Sequence, residues 1–300
     1  MAPPTAPLLP RVSFVVPTWQ RAARVGDAVA SVLAQDHPDV EAVVVDDGST
    51  DGTLDGLRRR FGDDPRLRLI RRENGGVARA RNTGIDAATG AMVAFLDSDD
   101  RCEPTFASTM AARLVAAPDA AAAVCDVAYV GPWADGNRSH FERLPRGLPT
   151  TIEHMVLGGW FLITGLLFRA DVVRSLRFDP AWYAEDAELM CRFLLAGHRY
   201  VVEPRALVSY VRHAGDDGAP QQSQDPAAAP IAAARLESAY VDRCRLPRAT
   251  RARLHRRWAK RFLRAGLHAE ARPHLWAWWR RRPFDVAVAW HLLRGTTAGR

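Results

Sequence analysis

The sequence predicts an α/β fold: a doubly wound sheet flanked by helices, followed by a C-terminal helical appendage. Three observations predict it. Short β-branched runs alternate with helical stripes over the first hundred residues, two of those runs end in acidic clusters, and the charge balance reverses near residue 245. With 300 residues and 48% hydrophobic content, the chain has apolar mass for one full domain plus an addition.

Residues 1–10, rich in Pro and Ala, read as a disordered tail. Val12 to Val16 is a β-branched and aromatic run, a strand that should stop at Pro17. A helix follows from Val25 to Gln35, because Val25, Val29, Val32 and Leu33 recur on one face. Glu41 to Val45 is the next strand, and a strand–helix–strand series implies parallel pairing through a right-handed crossover. Leu67 to Ile70 and Met92 to Leu96 are further strands, separated by a helix over Val77 to Ala88 that Gly90 ends.

Beyond residue 100, Val124 to Val130 reads as a strand and residues 131–150 as a surface loop over the site. Asp186 to Ala196 is helical, with Ala187, Met190, Phe193 and Leu194 on one side. Tyr200 to Val202 and Leu207 to Val211 read as two short strands, residues 214–230 as a linker, and the chain from Ile231 onward as Arg-rich helix. These readings divide the chain into a tail (1–10), a sheet domain (11–225, with halves about 11–100 and 101–225) and a basic helical region (226–300).

The formal charge of +7 is unevenly spread: residues 245–300 hold 15 Lys and Arg against 2 Asp and Glu, and the remainder holds 26 against 32. A basic end on a mildly acidic body implies an anionic surface partner. Cys102, Cys125, Cys191 and Cys244 are widely spaced with no CxxC pair, so buried free thiols are expected rather than a zinc knuckle or a disulfide framework. No run of about 18 apolar residues occurs and the N-terminus lacks a secretory pattern, so a cytoplasmic location is expected.

In doubly wound sheets, ligands bind beyond the carboxyl ends of the strands. There this sequence places Asp46-Asp47-Gly48-Ser49 after Val43-Val44-Val45, and Asp97-Ser98-Asp99-Asp100 after Phe95-Leu96. Adjacent carboxylates repel, and a hard divalent cation with oxygen ligands offsets them, so Asp97 and Asp99 suit Mg²⁺ or Mn²⁺. The same run also reads as a cap for a following helix.

The surrounding residues resemble the inverting family 2 glycosyltransferases of the GT-A fold. The likeness rests on ordered blocks: Ser13-Phe14-Val15-Val16-Pro17-Thr18-Trp19-Gln20-Arg21, Ser31-Val32-Leu33-Ala34-Gln35, and Val44 through Thr53. Asn74-Gly75-Gly76, Ala80-Arg81-Asn82-Thr83-Gly84-Ile85 and Phe95 through Asp100 continue it, and Glu185-Asp186 with Arg192 supplies a later block. The resemblance covers roughly residues 11–213 and implies a Rossmann-like mixed sheet. It departs at Trp19-Gln20, where the family usually has Tyr-Asn.

What the resemblance implies is residue-specific. Asp47 and Gly48 would meet the base of a nucleotide diphosphate sugar, with Pro17, Thr18 and Gln20 framing the nucleoside. Asp97 and Ser98 would lie at the ribose, Asp99 would hold the metal, and Asp186 would be the base that deprotonates an acceptor hydroxyl. Arg71 and Arg81 stand where a cation meets base or diphosphate, or are solvated charges. His213 lies where relatives complete the metal site, or is a surface histidine. Glu185-Asp186 also reads as acid at a helix N-terminus.

The implied function is sugar transfer with inversion to a glycan, lipid-linked sugar or small-molecule acceptor. A nucleotidyltransferase or an inactive nucleotide-sugar-binding module are the alternatives. In the basic end, Trp258, Trp276, Trp278, Trp279 and Trp290 are interleaved with arginines. That pattern suits peripheral contact with the inner face of the membrane, or helices packed with their arginines in water; no nucleic acid is expected because no recognised motif accompanies the charge.

Overall fold

A computed structural model of the chain describes residues 9–131, 139–144, 146–212, 225 and 227–280. The tail expected over 1–10, most of the linker expected over 214–230, His213 and Trp290 therefore lie wholly or largely outside the described residues. In chain order the elements are β1 (Val12–Thr18), α1 (Val25–Leu33), β2 (Val40–Asp46), α2 (Thr53–Phe61), β3 (Leu67–Arg71), α3 (Val77–Ala87), β4 (Met92–Phe95), β5 (Arg101–Cys102) and α4 (Phe106–Ala116). They continue with β6 (Ala122–Val130), α5 (Ile152–Val156), β7 (Leu166–Arg169), α6 (Ala170–Leu176), α7 (Glu185–Leu195), β8 (Tyr200–Val211), α8 (Ala228–Tyr240), α9 (Arg248–Arg264) and α10 (His268–Trp279).

Two compact units emerge: Met1–Leu148 with Trp160–Ala219, and Pro149–Gly159 with Pro220–Arg300. The first holds an eight-stranded mixed sheet in the order β3-β2-β1-β4-β7-β6-β8-β5. Strands β1 to β4 pair in parallel, β7 runs antiparallel to β4 and β6, and β6 pairs parallel with β8. β1 and β2 are buried along their whole length, as central strands covered on both faces must be.

β1 does not stop at Pro17 but runs to Thr18, in register with Asp46. In a parallel strand, alternate residues turn their polar groups to opposite neighbours. The Thr18 carbonyl accepts from Asp47 N–H of the β2 side and the Val15 carbonyl from Leu96 N–H of the β4 side, so Pro17 turns toward β4. β4 has already ended at Phe95, and the missing N–H of Pro17 costs no ladder bond.

α1 ends at Leu33 rather than Gln35, because the Gln35 side chain serves the tertiary structure. Its amide donates to the carbonyls of Ser31 and Glu103 and accepts from Ala107 N–H, pinning the end of α1 to α4. The two strands expected over 200–211 are one, β8, whose register against β6 shifts on either side of Asp126. α8 starts at Ala228, ahead of the expected Ile231. Pro230 is tolerated there because first-turn N–H groups have no partner within the helix.

α3 lies unusually close to the sheet. A Cβ on Gly84 would stand 2.2 Å from Val15 Cγ1, and Val15 is fully buried and β-branched, with nowhere to move. Gly84→Ala is therefore expected to cost about 1–3 kcal/mol despite alanine's better helix propensity. Denaturant unfolding should show a smaller cost in a Val15→Ala background; equal costs in both backgrounds would refute the contact as the cause.

In the second unit, α9 buries Leu254, Trp258 and Phe262, and α10 buries Leu275 and Trp278. His274 stacks on Phe262 at 5.5 Å, and Glu237 of α8 accepts from Trp258 Nε1 at 2.6 Å. Among the described residues, no helix is long and apolar enough to cross a membrane. The four cysteines are free and buried.

Candidate active site

The carboxyl ends of β1, β2 and β4 and the N-terminus of α7 carry most of the residues singled out from the sequence; Arg71 ends β3 and Arg81 lies on α3. Thr18 ends β1, buried, its hydroxyl without a hydrogen-bond partner among the described residues. Gln20 follows at φ 51°, the left-handed region that a short Asn side chain enters more readily. Its carboxamide is spoken for. Oε1 accepts from Thr50 and Asp51 N–H at 2.8 and 3.2 Å, and Nε2 donates to Thr50 Oγ1 at 3.1 Å. Gln20 thus clamps the β2–α2 loop, and the extra methylene relative to Asn is used as reach.

Gly48 adopts φ 84°, and a Cβ there would stand 3.0 Å from the backbone nitrogen of Asn74. Asp47 is buried and accepts from the Arg72 guanidinium and from the N–H groups of Gly75 and Gly76, which open α3. The carboxylate assigned to the donor base thereby also shapes the Arg72–Gly76 loop. Arg71, exposed at the end of β3, donates to the Ser49 carbonyl at 3.0 Å.

The centre of the site is Arg81, only 4% exposed. Gly84, one turn further along α3, lets the helix approach the sheet closely enough to place it. The guanidinium donates to Asp97 Oδ1 at 2.7 Å and to Glu185 Oε1, and lies 5.3 Å from the centre of the Phe178 ring. Burial opposes the charge on Arg81, but Asp97, Glu185 and Asp186 outweigh it and raise its proton affinity. Its neighbour Asn82 donates to the Phe178 carbonyl and accepts from the Phe178 N–H, fixing the segment that leads into α7.

The two acids at the start of α7 are both held above the ordinary carboxylate range. Burial pushes Glu185 up to about 7, with Arg81 opposing and Asp186 adding to the rise. Burial likewise raises Asp186, opposed by Arg81 and by the N–H of Ala187, which donates to Oδ1 at 2.7 Å. Arg192 braces the helix from below, pairing with Glu188 at 2.7 Å and donating to the carbonyls of Leu176 and Arg177.

At the end of β4, Ser98 is buried and Asp99 half-buried, and beside them stands Asp100, a residue not singled out from the sequence. Asp100 is fully buried; Oδ1 accepts from Val211 N–H at 3.0 Å, and the Thr164 hydroxyl stands by the carboxyl and favours its charged form. Burial, then the charges of Asp97 and Asp99, raise its pKa well above the carboxylate range. Carboxylate oxygens at Asp97, Asp99 and Asp100 are the donor type that a hard divalent cation takes, and substrate phosphates and water would have to supply the rest of its shell. Among the described residues, no group of three or more His, Cys, Asp or Glu is placed to hold a metal ion.

Arg72, Asn82 and Asp100 are neighbours of these residues that sequence reasoning did not single out. Asp100 left a signal as the third acid of its run; Arg72 acts on the Asp47 carboxylate and Asn82 on the Phe178 backbone, partners 25 and 96 residues away in sequence.

Comparisons with known proteins point the same way. A family model described as Glycosyl transferase family 2 matches residues 13–168. The succinoglycan biosynthesis protein ExoO of Rhizobium meliloti (strain 1021) is 38% identical over 227 residues, covering 71% of this chain and 63% of ExoO. The chondroitin synthase of Pasteurella multocida (strain Pm70) is 38% identical over 96 residues, 32% of this chain and 10% of the synthase. The chain thus spans less than two thirds of the length of these curated relatives.

Among solved structures, S. aureus TarS 1–349 in complex with UDP-GlcNAc aligns with a TM-score of 0.67 at 20% identity, over 95% of this chain and 89% of that one. The mannosyltransferase PcManGT from Pyrobaculum calidifontis, in complex with GDP-Man and Mn²⁺, aligns with a TM-score of 0.56 at 22% identity, over 97% and 76%. At these identities the likeness shows the fold, a GT-A-type mixed sheet flanked by helices.

Proposed function

Since this chain belongs to glycosyl transferase family 2, we propose that it transfers a sugar from a nucleotide diphosphate sugar to an acceptor hydroxyl with inversion at the anomeric carbon. The observation that carries this reading is Arg81, which joins Asp97, at the donor end of β4, to Glu185, the neighbour of Asp186. One buried cation holds the two halves of a displacement reaction in fixed relation.

In this reaction Asp186 takes the proton of the acceptor hydroxyl, and the freed oxygen attacks the anomeric carbon from the face opposite the diphosphate. The bond to the diphosphate breaks and its electron pair leaves with the phosphate oxygen, which inverts the centre. A raised proton affinity makes Asp186 a stronger base than an exposed carboxylate. Pro17, Thr18, Asp47 and Gly48 frame the nucleoside, with Gln20 holding the loop they form, Arg71 at its rim, and Asp97 and Ser98 at the ribose. Trp19, 55% exposed, offers a ring for a planar base.

Asp99 and Asp100 would hold Mn²⁺ or Mg²⁺, with His213 as a further ligand. Such an ion, when bound, supplies positive charge against the diphosphate. The relatives' names, succinoglycan biosynthesis and chondroitin synthase, favour a role in bacterial polysaccharide assembly.

The decisive experiment is a panel of UDP-, GDP- and dTDP-sugars tested by calorimetry and by slow hydrolysis in the absence of acceptor. One nucleotide class is expected to bind, with hydrolysis that needs Mn²⁺ or Mg²⁺ and stops with chelator. No binding of any member of the panel, whatever ion is supplied, would refute the function; ion-independent hydrolysis would refute the metal.

A further inference from the structure

Apart from Arg248 at its first position, the cations of α9 fall into two sets. Arg257 and Arg261 turn to the buried Glu237, at 2.5 and 3.7 Å, and Arg251 lies 3.4 Å from Asp242. These charges are neutralised within the unit. Arg253, Arg256, Lys260 and Arg264 form the second set, all exposed. α9 contains no Asp or Glu, and among the described residues none of these four pairs with a carboxylate. Arg253 donates to the Thr250 hydroxyl at 3.1 Å, and Arg256 lies 5.1 Å from the centre of the Trp278 ring.

The spacing of this second set is 3, 4 and 4 residues, which keeps it within roughly 80° of the helix circumference over about 16 Å. That stripe lies opposite the face buried through Leu254, Trp258 and Phe262.

Charge separation of this kind identifies what the stripe meets. Repulsion among four exposed cations within one quarter-turn is screened by salt in water and is relieved most strongly by an extended anionic surface. We propose that the α9 stripe is a docking face for an anionic lipid bilayer, with the lipid phosphates on Arg253, Arg256, Lys260 and Arg264. A single convex row matches a flat surface, whereas single-stranded nucleic acid is held in a groove lined by stacking rings. The docking face stands apart from the sugar-transfer reading and does not depend on it.

The test is co-sedimentation of the full chain with vesicles of phosphatidylcholine alone, or with about one third phosphatidylglycerol, at about 0.1 M salt. Retention is expected on the anionic vesicles only, and should be lost as salt rises. The quadruple variant R253Q/R256Q/K260Q/R264Q should lose about fivefold in partitioning per substitution, several hundredfold in all. Its melting temperature should fall only slightly, by the loss of the Arg256–Trp278 and Arg253–Thr250 contacts, and its binding of nucleotide sugars should equal the parent's. Equal retention on neutral vesicles, unchanged binding by the quadruple variant, or retention on a single-stranded oligonucleotide with none on vesicles would each overturn the proposal.

Discussion

Asp186→Asn is expected to lower the rate of sugar transfer by about 10²–10⁴-fold while leaving the affinity for the nucleotide sugar unchanged. The amide keeps the size of the side chain and can still accept from Ala187 N–H through its oxygen, so the start of α7 should stay in place. What it loses is the ability to take a proton in the transition state. Calorimetric donor affinity and single-turnover transfer, measured side by side, separate the two effects. Turnover equal to the parent's would remove Asp186 from the mechanism.

The same residue predicts the pH dependence. Asp186 and Glu185 are held above the ordinary carboxylate range, chiefly by burial. A base must be deprotonated to act, so transfer should fall on the acid side. The midpoint of that fall should lie above the value of about 4 typical of exposed carboxylates and belong to the pair rather than to one residue. A profile flat down to pH 4 would contradict this.

Arg81→Met is expected to cost about 3–5 kcal/mol of stability, because it leaves Asp97 and Glu185 without their shared buried cation. Denaturant unfolding measures the loss directly. The sign of the effect on the base also follows. Arg81 lowers the pKa of both Glu185 and Asp186, so its removal should move the acid limb of transfer to higher pH. If Arg81→Met does not fold, Arg81→Lys keeps one charge but cannot fork to both carboxylates, and should lose a smaller part of the stability. A stable Met variant with an unmoved acid limb would show that the guanidinium neither braces nor tunes the site.

How much of this was legible in the sequence differs from residue to residue. The apolar runs at Val12, Val40 and Met92 are strands because β-branched residues buried on both faces leave few alternatives, and their periodicity is local. β7 and α6 were not read from the chain, and β5 is only two residues long. β7 is an antiparallel insertion between β4 and β6, and its place depends on partners more than 40 residues away.

The acids of the site were visible for a similar local reason: Asp47, Asp97, Asp99 and Asp186 each sit at the end of a strand or the start of a helix, where side chains reach a ligand. Their strengths as acids and bases were not visible. Arg81 reads from the chain as one more helical arginine, either solvated or facing a phosphate. Folding buries it between carboxylates 16 and 104 residues away, and Gln20 is likewise revealed as a loop clamp by partners about 30 residues on. Apolar pattern and the identity of the acids are carried by neighbouring residues, so sequence alone suffices for them. Burial, pairing and proton affinity depend on the local dielectric and on charges brought together from distant segments, and these exist only once the chain has folded.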